Sequence, residues 1–187
     1  MSLIESIRTA TPKTRARLTG AVYLIYFLLA VAGASFNSHG AAARAFNLAS
    51  IAVYALLTVL FYFMFKPVSR WVSLLAALFS FAGCIFSVMQ TLQLSRYAIS
   101  PLIFFGFYCL LLGQLIIRSG FVPRMIGALL VIAGVGWLLF LFPYMKPLNS
   151  ATEIFGIFAE GTFCLWLLIA GVSPRKTRKQ PGRKKRA

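Results

Sequence analysis

The sequence predicts an all-α, polytopic membrane protein: a bundle of six transmembrane helices with both termini in the cytoplasm. Three observations lead there. Apolar residues make up 60% of the 187 and charged residues only 12%, against roughly 45–50% and about 25% in soluble domains. With a mean hydropathy of +0.84, a soluble core could not hide so much apolar surface, so lipid must cover part of it. The apolar residues also fall into six runs, each near the ~20 residues that cross a ~30 Å hydrocarbon core. Finally, the cations sit between those runs and at the chain ends, heavily biased to one side.

In chain order, residues 1–17 form a polar, basic leader with Arg8, Lys13, Arg15 and Arg17. Leu3, Ile4 and Ile7 could make a short amphipathic piece on the membrane surface. The first span is predicted over 18–34. Its Ala32-Gly33-Ala34 has the small-x-small pattern of a signal cleavage site, but the leader is long and further spans follow, so a retained helix is expected. A polar loop with the sole histidine, His39, leads to the second span, 45–65. Lys66-Pro67-Val68-Ser69-Arg70 closes it, and Trp71, an interfacial anchor type, opens the third, 71–90.

Spans four and five, 101–117 and 123–142, form a hairpin around Arg118-Ser119-Gly120-Phe121-Val122-Pro123-Arg124. There a glycine suits the end of one helix and a proline the start of the next. The sixth span is predicted over 151–172, followed by a polybasic tail, 173–187, expected to be disordered. The two basic hairpin turns echo each other, as parallel repeats would. Convergence explains the echo better, since any short cytoplasmic hairpin needs basic flanks and turn residues.

Orientation follows from Lys and Arg. One side carries the leader, the two basic turns and the tail; the other carries only Arg44, Arg96 and Lys146. The bias survives removal of the tail. This distribution also reads the net charge of +16 as membrane topology rather than nucleic-acid binding. The tail cations Arg175, Lys176, Arg178, Lys179, Arg183, Lys184, Lys185 and Arg186 are expected to contact anionic lipid headgroups at the cytoplasmic face, worth about 1 kcal/mol each.

The run Phe105-Gly106-Phe107-Tyr108-Cys109-Leu110-Leu111-Leu112-Gly113, the hairpin turn after it, and Gly127-Ala128-Leu129-Leu130 with Gly134 resemble an uncharacterised bacterial integral membrane family, domain of unknown function 4386. The last span, with Glu160 before Leu165-Trp166-Leu167-Leu168 and Gly171, is similar to that family's ending, and Ala16-Arg17-Leu18-Thr19-Gly20 to its beginning. The resemblance covers roughly 15–172, closely in the second half and loosely in the first. It implies a six-helix membrane domain and no particular activity.

Aspartate is absent, and the acids are Glu5, Glu153 and Glu160. Glu160 stands out. It is predicted slightly to the outer side of the middle of its span, close to the midplane, where an ionised carboxylate costs a few kcal/mol. It should therefore face the bundle interior, protonated or hydrogen-bonded. Protonation is the simpler state, because no Lys or Arg lies at comparable depth. Glu153, two turns earlier, shares its face. At the outer ends of other spans lie Asn47, Gln90, Gln93, Arg96 and Tyr97, with Ser50, Tyr54 and Thr91. Either these converge with Glu160 on an outer cavity, or they are ordinary interfacial residues and Glu160 bonds a neighbouring helix.

The remaining residues have plainer readings. Cys84, Cys109 and Cys164 lack metal-ligand spacing and read as small buried hydrophobes. Gly127, Gly134 and Gly136, with Gly156 and Gly161, read as sites of close helix contact. The 18 phenylalanines read mostly as lipid-facing bulk.

No cofactor or metal is implied. Three functions stand: a non-enzymatic module binding a small or lipidic ligand, or a partner protein, in the outer half; a small transporter, expected to be a homo-oligomer, using Glu160 as a proton site; and an enzyme acting on lipid-linked substrates. The expected location is the bacterial inner membrane.

Overall fold

A computed structural model of the chain describes residues 11–36, 40–94 and 99–172, and all regular structure among them is helical. The helices are α1 (Pro12–Ser35), α2 (Ala41–Phe65), α3 (Arg70–Thr91), α4 (Leu102–Ser119), α5 (Arg124–Leu138) and α6 (Asn149–Ile169). A 3-10 turn, Leu139–Leu141, extends α5, and a second 3-10 helix, Pro143–Leu148, leads into α6. With that extension counted, all 6 are long and apolar enough to cross a membrane. The protein is a multi-pass membrane protein.

Local chemistry places the ends. The Thr11 hydroxyl accepts from the Thr14 N–H at 3.3 Å, and Pro12 takes the first position of α1, where its missing N–H costs nothing. The helix therefore takes in residues 12–17, which hydropathy alone assigns to the leader. At the other basic turn, Gly120 ends α4 with φ 70°, a left-handed conformation that glycine adopts without strain. Ser119 tightens this turn: its hydroxyl donates to the Ile116 carbonyl at 2.8 Å and accepts from the Phe121 N–H at 3.4 Å.

Each helix packs against the next in sequence, and α6 returns to α1, closing a ring. The α4–α5 hairpin is the tightest joint. Gly113 faces Gly127, and Gly106 faces Gly134. A Cβ on Gly113 would sit 2.6 Å from the Gly127 carbonyl oxygen, and one on Gly134 2.8 Å from that of Gly106. The seven-residue spacing within each helix brings both pairs onto one seam, so the backbones touch where larger residues would hold them apart. At the closing joint Gly20 lies against the backbone of Leu167 and Leu168. The Cys164 thiol there approaches the Gly20 carbonyl at 3.5 Å. Arg17 donates to the Ile169 carbonyl at 3.0 Å, which puts both ends of the ring on one face, here called the termini face.

The interior near that face is solid. Phe61 stacks on Phe163 at 5.3 Å and Phe65 on Phe121 at 5.5 Å, with Leu57, Leu115 and Leu167 fully buried around them. The view of phenylalanine as lipid-facing bulk is thus corrected: Phe61, Phe65 and Phe163 are core residues, and Phe79–Phe107 and Phe86–Phe104 stack between helices. The large apolar side chains exposed on the outside of the ring include Leu28, Val31, Phe63, Leu78, Ile132 and Leu165. Gly161 is a second correction, since nothing lies within 4 Å of a Cβ placed there and it makes no close helix contact.

Candidate functional site

Away from the termini face the ring is not filled. A cavity of about 320 Å³ lies there, and every helix contributes to its wall. The α1 helix contributes Tyr26 and Phe27, and α2 adds Asn47, Ser50 and Tyr54. From α3 come Cys84, Ser87, Gln90 and Thr91, while α4 presents Phe105, α5 Trp137, and α6 Ile157 and Glu160. The opening has a local cause. Serine, threonine and glutamine side chains on α3 cannot fill the space that phenylalanine and leucine fill at the other end.

Glycines set the wall's shape at two points. Trp137 lies so close on Gly156 that any Cβ there would collide with the indole, and Gly83 receives the Phe105 ring, with 2.8 Å between a notional Cβ and the ring.

Glu160 is the twelfth of the 21 residues of α6, nearer the middle of its helix than hydropathy placed it. Only 9% of it is exposed. The Tyr23 hydroxyl donates to its Oε2 at 2.6 Å, and the Cys109 thiol makes a long contact of 3.8 Å to Oε1. Tyr23 is itself the twelfth of the 24 residues of α1, so acid and donor meet at matched depth. Its ring is held by stacking on Phe27 at 5.1 Å and by the edge of Phe61 at 5.7 Å. Through these contacts Glu160 ties α6 to its neighbour α1 and, across the ring, to α4.

Of the residues singled out from sequence, Glu160, Asn47 and Gln90 share this cavity, with Ser50, Tyr54 and Thr91. Two others do not belong to it. Gln93 is exposed in the turn that ends α3, with φ 58°; its N–H closes onto the Gln90 carbonyl at 3.0 Å, and the helix stops before the side chain can join the wall. Glu153 is also exposed. It shares an azimuth with Glu160 but sits about 10 Å further along the helix axis, beyond Ile157, where α6 leaves the cavity. Arg96, Tyr97 and the tail cations 175–186 lie outside the described residues.

Sequence reasoning missed Tyr23, Tyr26 and Cys109. Thr19, Tyr23 and Tyr26 recur at helical spacing on α1, the one available hint of an inward polar stripe. Cys109 offered none, since a thiol in an apolar run reads as a hydrophobe.

Below Glu160, towards the termini face, a second void of about 10 Å³ lies between Thr58, Ser73 and Tyr108. That volume is about one water molecule's requirement. The Ser73 and Tyr108 hydroxyls find no partner among the described residues, while Thr58 bonds Ser80 across α2 and α3 at 2.6 Å. No group of three His, Cys, Asp or Glu side chains among the described residues could hold a metal. The site thus offers one carboxyl, several neutral hydrogen-bonding groups and an aromatic wall.

An uncharacterized protein of the archaeon Archaeoglobus fulgidus is 35% identical over 124 residues, covering 60% of this chain and 74% of its own length. Such chains therefore occur outside bacteria. No solved structure matches. Residues 87–171 match a family described as a domain of unknown function, a narrower stretch than the 15–172 of the sequence resemblance and confined to its stronger half. With that match and the archaeal relative, the chain belongs to the family Domain of unknown function (DUF4386).

Proposed function

We propose that this protein is a ligand-binding membrane module whose site is the cavity above Glu160. The observation that carries the reading is the convergence of all six helices on one space of about 320 Å³ with a single acid in its wall. That volume is at the lower end of small-molecule pockets, about 300–1,000 Å³, so the ligand is compact. An ionisable group buried at mid-membrane is expensive and marks function more often than packing. The lysine and arginine bias supports placing the termini face in the cytoplasm and the cavity on the outer side of a prokaryotic plasma membrane, with the tail cations against anionic lipid.

A second reading is a proton-coupled transporter. Glu160 is central in its helix, and the hydroxyls of Tyr108, Thr58, Ser80 and Ser73 follow below it towards the termini face. The stacked phenylalanines around them weigh against an open path in this conformation.

Cysteine labelling in oriented proteoliposomes tests site and orientation together. In a Cys84→Ser background, Ser87→Cys should react with a membrane-impermeant thiol reagent added outside, and Ser69→Cys only with reagent enclosed inside. A Ser87→Cys protein inert from both sides would sink the open cavity. Reaction from the inner side only would reverse the topology.

A further inference from the structure

We infer that the ligand is a compact organic cation of the alkyl- or arylammonium class, bound in exchange for the proton of Glu160; this deepens the ligand-binding reading and rests on it. The wall contains one acid and no Lys, Arg or His among the described residues, although the whole chain carries a net charge of +16. The cavity thus holds no positive group, and its one ionisable side chain can only become negative. An anionic ligand would meet no positive partner there and would leave a net buried charge. A cation would find that carboxyl together with aromatic faces. Tyr26 lies 4.7 Å from Tyr54, which lies 5.1 Å from Phe105, and Phe27 and Trp137 extend the wall. Aromatic quadrupoles attract such cations, most strongly when they are desolvated.

The acid is arranged for this exchange. Oε2 accepts the short Tyr23 bond and stays oriented, whereas Oε1 has only the long thiol contact and is the oxygen left for a ligand. The charges balance. The carboxyl O–H breaks, its proton leaves to the water outside, and the cation pairs with the carboxylate formed. The buried site is neutral before and after, and a net buried charge, the costly state at this depth, is avoided.

The test uses the full chain in lipid nanodiscs, titrated with benzyltrimethylammonium and with its neutral isostere, neopentylbenzene, in weakly buffered solution. The cation should bind with release of about one proton per site, and the isostere at least about tenfold more weakly. Glu160→Gln should weaken cation binding about thirtyfold or more and abolish proton release; Tyr26→Leu should weaken it about two- to fivefold. If Glu160→Gln does not fold, proton release by the unmodified protein decides alone. Isostere binding as tight as the cation's, or cation binding without proton release, overturns the inference. So does a failure of the cation to bind: with Ser87→Cys still reactive from outside the cavity reading survives, and with it inert both fall.

Discussion

Near the termini, the ring is plugged by phenylalanine and leucine; at its other end the same six helices enclose a space walled by aromatic rings and a few hydroxyl, amide and carboxyl groups. Helix length and mean hydropathy do not distinguish the two halves, because each span taken whole is apolar enough to cross a membrane. The size of the inward side chains does. Where Phe61, Phe65 and Phe163 point in, the ring is dry and solid. Ser50, Ser87 and Thr91 leave room above them. Glu160 lies at the boundary, so its carboxyl meets packed protein on one side and the cavity on the other. Uneven filling of one closed ring of helices can thus produce a cavity.

Three substitutions test that contrast. The largest effect is expected from Gly127→Val in the plugged half. Its Cβ would lie 2.7 Å from the Gly113 carbonyl oxygen, and backbone cannot swing aside, so about 3 kcal/mol of stability should be lost. A melting curve in detergent unchanged from the parent would show that α4 and α5 are not locked there. Next comes Phe163→Ala. Lipid is as apolar as the core, so the transfer contribution largely drops out, and the void term remains, about 2 kcal/mol. In the same protein, Ser87→Cys should become reactive to reagent from the termini side; continued protection would mean that Phe163 is not the plug. Smallest is Gly161→Ala. With nothing near it, alanine should gain up to about 1 kcal/mol in helix propensity, and a clear loss would place an unseen neighbour against that face.

The fold was legible because membrane insertion enforces a length rule and a charge rule, both one-dimensional. Breaks at Lys66-Pro67 and Gly120 and the absence of aspartate are visible without any packing knowledge. Glu160 was legible for the same reason, since a lone acid in an apolar run has few explanations. Its surroundings were harder. Asn47 and Gln90 were found from depth alone, but Glu153 and Gln93 have similar polarity and lie outside the cavity, because depth does not say where a helix ends or which neighbour it faces. Tyr23 was lost among many aromatic residues, and only azimuth separates it from Tyr62 or Tyr144. Phenylalanine misled in the same way. Lipid and core are equally apolar, so composition cannot sort residues between them as it does in water.

The closure of the ring has a consequence for biogenesis. Every joint but one links helices adjacent in the chain, and these can form hairpin by hairpin as the chain emerges. The exception, α1 against α6, brings together Tyr23 and Glu160, 137 positions apart, along with Arg17 and Ile169. Until α6 arrives, Tyr23 lacks its carboxyl partner and the cavity has an open side. Among the six described helices, α6 is made last and both seals the wall and delivers the acid, so a chain truncated before it would carry five of these helices and neither a closed cavity nor its carboxyl.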